Sequence, residues 1–113
     1  MSAYPNKIAY ANLAEIARRC GRHGDALTMF ELALRLDPQY VNGWNERACL
    51  EIEMATLAAQ DGDTAGSWRY ITEATLHHAR AVRLADDETV AARLSNEFAT
   101  QRRRHGLASN VQS

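Results

Sequence analysis

The chain has 113 residues, a formal net charge of −1 and 46% hydrophobic residues, which suits one small domain with one modest core. The near-neutral balance excludes a general nucleic-acid or anionic-membrane binder, which needs a basic excess. No apolar run is long enough to cross a bilayer, and no basic-then-apolar leader opens the chain, so a soluble protein is expected. Cys20 and Cys49 form no CxxC and no disulfide framework, and a reducing cytoplasm is the default.

The predicted elements follow from the punctuation. After an N-terminal arm, residues 1–6, Asn6 caps a first helix from Lys7 to about Cys20. Gly21 and Gly24 flank a short break. The second helix has Asp25 near its start and runs to Leu36, where Asp37-Pro38 stops it, because proline disfavours helical geometry in the residue before it. A third helix covers about Val41 to Gln60 and ends at Asp61-Gly62-Asp63. Thr64 is expected to cap a fourth, reaching about Ala85. Asp86-Asp87 open a fifth, Glu88 to about His105, with Arg102, Arg103 and Arg104 favouring the negative end of its dipole. Residues 106–113 read as a flexible tail. The reading is all-α: one helical domain over residues 7–105, its short connections forcing sequential helices antiparallel. The 20 alanines allow close helix approach, and twelve arginines against the single Lys7 suggest a GC-rich coding sequence and a bacterial origin.

An internal repeat is visible. Tyr10 and Trp44 lie 34 residues apart, followed by Leu13-Ala14 and Arg47-Ala48. The first unit continues through Ala17, Ala26, Phe30, Ala33 and Pro38. This order of aromatic, large-small pair, small-to-aromatic step and closing proline resembles the tetratricopeptide repeat (TPR) over about residues 7–40. Alanines 14, 26 and 33 are expected where the two helices of a hairpin touch. Tyr10, Leu13 and Phe30 are expected between hairpins. The second unit departs from the pattern. Ala81-Val82-Arg83-Leu84 echoes Ala33-Leu34-Arg35-Leu36 at 48 residues instead of 34. Both helices of the second hairpin are therefore expected to be longer by roughly two turns each. Arg47, Glu51 and His78 replace apolar residues of the family pattern, and Asp86 stands where its proline would be. Val90, Leu94 and Phe98 give the fifth helix the pattern of a capping helix. The resemblance implies a TPR-like stack of about two antiparallel hairpins plus that C-terminal cap.

On a helical wheel, the third helix presents an apolar arc of roughly 220°, wider than the ~100° stripe of a surface helix. Two-sided cover by neighbouring helices is the simpler account. The alternative is an apolar interface at Leu50, Met54 and Leu57 with another chain, favoured by the shortness of the stack. No catalytic constellation or metal set stands out, and no cofactor is expected. His77 and His78 diverge by 100° on a helix and read as solvated or capping. Glu73 and His77 make at most half a metal site. Cys49 and Cys20 lack a basic partner in sequence and are not expected to be nucleophiles. Arg47 and Glu51 are expected to pair near Trp44, and Trp68 reads as a core residue.

The TPR resemblance implies a peptide groove lined by the first helix of each hairpin. At the matching positions stand Ala11, Asn12, Glu15 and Arg19, then Asn45, Glu46, Cys49 and Glu53. Ala11 and Glu15 do not supply the lysine and asparagine of a carboxylate clamp, so the mixed groove suits a polar or partly basic segment. The resulting expectation is a non-enzymatic protein–protein interaction module, acting as adaptor, assembly factor or chaperone and prone to oligomerise. The alternative is a permanent non-catalytic small subunit of a larger enzyme or secretion complex. Its partner is a protein or peptide, not nucleic acid or membrane.

Overall fold

A computed structural model describes residues 6–106; the predicted arm and tail lie largely outside the described residues. Five helices follow in order: α1 (Lys7–Arg19), α2 (His23–Leu36), α3 (Val41–Gln60), α4 (Thr64–Leu84) and α5 (Glu88–Arg104). There are no strands among the described residues. No described helix is long and apolar enough to cross a membrane.

Local chemistry explains the boundaries. The Asn6 side chain accepts from the Ala9 N–H at 2.9 Å and caps α1. α1 and α3 stop in the same way. Gly21 (φ 77°) and Gly62 (φ 82°) enter the left-handed region, and the next amide turns back onto the helix, Arg22 N to Ala17 O and Asp63 N to Ala58 O, both at 2.8 Å. α2 starts at His23, two residues before Asp25, and ends at an extended Asp37 ahead of Pro38. The α4 cap is Asp63, which accepts from the Gly66 N–H at 2.8 Å, and not the expected Thr64, which lies inside the helix. Asp87 caps α5 by accepting from the Thr89 N–H at 2.6 Å.

α1 and α2 have 13 and 14 residues, α3 and α4 have 20 and 21, so the second hairpin is longer by about two turns per helix, as its displaced echo predicts. Each hairpin packs closely, and α5 lies across both α3 and α4. The molecule measures 55 × 33 × 19 Å, an elongated slab.

Two small cores hold it together. Ala11, Ala14, Ala26, Phe30 and Leu50 join α1, α2 and α3. Ala48, Ile52, Ala74 and Phe98 join α3, α4 and α5. Ala14, Ala26 and Ala33 are fully buried as expected, since a methyl group at the crossing lets the backbones approach. Leu13 and Trp68 differ from expectation: they are 47% and 59% exposed. Leu13 lies half exposed on the outer side of α1, where it lines an open groove with Ile16 and Met29. Trp68 lies on the solvent-exposed side of α4.

Candidate functional site

Polar side chains link α1 to α3 and α3 to α5. Arg18 of α1 pairs with Glu53 of α3 at 2.7 Å, and the same carboxylate takes His23 at 3.3 Å. On the other side, Asn45 of α3 donates to Glu97 of α5 at 3.1 Å, and Arg93 of α5 donates to Glu97 at 3.0 Å and to Asn42 at 3.5 Å. A groove of about 510 Å³ opens between α3 and α5, bordered by Cys49, Arg93, Glu97, Thr100, Gln101 and Arg104.

The predicted groove residues divide. Glu15, Glu46, Cys49 and Glu53 come together beside these links. Glu15 is held by Arg18 and by Arg19 Nε at 3.1 Å, so its carboxyl lies below the usual range. Glu46 is exposed and accepts no hydrogen bond among the described residues. Desolvation by its neighbours, then the charges of Glu15 and Glu97, raise its carboxyl above the usual range, with the charge of Arg18 opposing them. Burial, together with Glu97, Glu46 and Glu53, pushes the Cys49 thiol up to about 12, so it is protonated at neutral pH and a poor nucleophile. Asn12 is exposed, and Arg19 is spent on Glu15. Asn45 is buried, serving Glu97 and His78 instead of a ligand. Glu97 belongs to the site but had no signal in the repeat pattern, because α5 lies outside it.

The apolar trio also separates. Leu50 is fully buried in the first core, so it is not an interface residue: its arc of α3 is covered by α1 and α2. Met54 is half-buried against the same core, and only Leu57 remains open, at 42% exposure.

His77 and His78 are partly buried and each has a polar partner on another helix. His77 Nδ1 lies 2.7 Å from Oε1 of a fully buried Glu51, whose Oε2 faces Arg47 Nε at 3.4 Å. Arg47 also reaches Glu31 of α2 at 3.4 Å and lies over the Trp44 ring, which His77 and Arg80 flank. His78 stacks on Phe98, with centroids 4.2 Å apart, and meets Asn45 Oδ1 at 3.3 Å. Arg47, Glu51 and His78 thus each have a partner on another helix. No group of three metal-ligating side chains occurs among the described residues.

No family model, curated protein or solved structure matches this chain.

Proposed function

We propose that the chain is a TPR-like interaction module whose α1–α3–α5 face holds a partner segment bearing lysine or arginine. Three observations support the stack: polar side chains link α1 to α3 and α3 to α5, the hairpins are closed by alanine crossings, and the second hairpin is lengthened as a unit. The observation that carries the ligand class is Glu46. It is an exposed carboxylate that accepts no hydrogen bond among the described residues, and Glu15 and Glu97 act on it against the opposing charge of Arg18, so a further cationic group placed beside it gains a favourable contact. Cys49 remains a neutral thiol on the groove floor.

Binding of arginine-containing and matched neutral peptides, measured by calorimetry, tests this. The cationic peptides bind tighter at low salt, and Glu46→Gln weakens them by about 0.5–1.5 kcal/mol, the range of one charge-assisted contact in a partly wet site. At pH near 4.5, the ordinary value Glu46 exceeds, binding also releases protons in the wild type and fewer in Glu46→Gln. Equal affinity for neutral and cationic peptides, or an unaffected Glu46→Gln, would remove the basis of the assignment.

A further inference from the structure

The two ends of the slab differ. At the C-terminal end α5 buries Leu94 and Phe98 and presents Arg93, Ser95, Asn96 and Thr100 outward; no large apolar side chain of α5 is exposed. That end is capped. At the other end α1 leaves Leu13 and Ile16 exposed, at 47% and 58%. On the helical wheel Ala9, Leu13, Ile16, Ala17 and Cys20 form one uninterrupted non-polar strip. With Met29 of α2, Leu13, Ile16, Ala17 and Cys20 line an open groove of about 450 Å³. The rim carries one cation and one anion, Arg22 and Asp25, paired at 2.6 Å and both well exposed.

We propose that this uncapped edge pairs with the same edge of a second copy, forming a two-fold dimer with the capped α5 ends outermost. Stacked helical hairpins bury their apolar faces only against a neighbour, so an exposed apolar edge of a hairpin needs cover. A two-fold contact needs a patch that complements itself. An apolar strip meets that condition, and so does a rim of one arginine and one aspartate, since Arg22 of each copy can reach Asp25 of the other. Head-to-tail stacking would set the strip against the polar face of α5. The other exposed large apolar residues, Ile8, Leu36, Leu57, Trp68 and Leu76, do not line this groove, and Trp68 and Leu76 are two turns apart on α4 with Thr72 between them. This surface is separate from the acidic groove, so the dimer stands or falls independently of the peptide reading.

Sedimentation velocity on the full chain across the micromolar range tests the proposal. The wild type runs at twice its 12.6 kDa mass with no larger species. Ile16→Asp is monomeric with unchanged helical circular dichroism, and Leu76→Asp remains dimeric. Asp25→Arg weakens the dimer by about tenfold or more, and adding Arg22→Asp restores it. A monomeric wild type, which leaves the edge to a different protein, overturns the proposal. So does an open ladder of species, a dimeric Ile16→Asp, or a reversed pair that fails to recover.

Discussion

Replacing His77 by phenylalanine isolates the most unusual interaction of the fold. Glu51 is fully buried between α3 and α4. Its Oε1 has the His77 ring nitrogen at 2.7 Å, while Oε2 has only Arg47 at 3.4 Å, and Arg47 is shared with Glu31. Phenylalanine keeps a ring against Trp44 but removes the polar partner of Oε1. Leaving a buried carboxylate oxygen without its hydrogen-bond partner costs about 1–3 kcal/mol, and more for a charged group, which places the expected loss at ~3 kcal/mol. In a domain of this size that lowers Tm by roughly 12–24 °C. The converse change, Glu51→Met, removes the buried charge and leaves His77 and Arg47, which are 20% and 15% exposed and can hydrate. Its expected cost is under about 1 kcal/mol, since replacing a buried charge by a fitting apolar group is often neutral. The double variant should therefore resemble Glu51→Met, with a coupling energy of about 2–3 kcal/mol. Urea unfolding of the four proteins at pH 7, followed by circular dichroism, measures all the terms. A His77→Phe loss below ~1 kcal/mol, or additive single effects, would refute the reasoning.

Three further predictions follow from the same packing. Burial holds His78 below its ordinary 6.5, so the unfolded chain binds the proton first. Stability attributable to this residue is complete above pH 6.5 and declines as the pH falls from there to the folded value. His78→Phe should flatten that part of the stability–pH curve, and an unchanged slope would argue against a buried neutral ring. Leu50→Ala should cost about 2–5 kcal/mol in denaturant unfolding, whereas Leu57→Ala should cost under about 1 kcal/mol, because only the first leaves a cavity in the core. Cys49 should resist alkylation in the folded protein at pH 8 and react readily in urea, since its thiol is held near 12; equal rates in both states would contradict that.

Glu51 and Leu50, adjacent in α3, show where sequence reasoning stops. The wide apolar arc correctly implied two-sided cover, but an arc names no neighbour. The alternative of an outside partner at Leu50 arises because the wheel carries no record of α1 and α2 closing over it. Glu51 stood out as a charged residue where an apolar one was expected, and its pairing with Arg47 was legible at four-residue spacing. The contact with His77 spans 26 residues and no local spacing rule reports it. The same distance problem hid Glu97, which reaches Asn45 across 52 residues, and misplaced Trp68, whose helical spacing to apolar neighbours said nothing of which side α3 and α5 occupy.

What the sequence by itself determined were the features whose causes lie within one or two turns of chain. These are the Asn6 cap, the glycine stops at 21 and 62, the break before Pro38, the 20-residue α3 and the alanines at the crossings. Capping, proline sterics and side-chain period act between near neighbours, so the residues that produce them are read together. Only the tertiary structure decided which polar groups are buried and which apolar ones are exposed. Burial depends on what arrives from elsewhere in the chain: α4 brings His77 to Glu51, α5 brings Glu97 beside Glu46, and nothing described comes to cover Leu13 and Ile16.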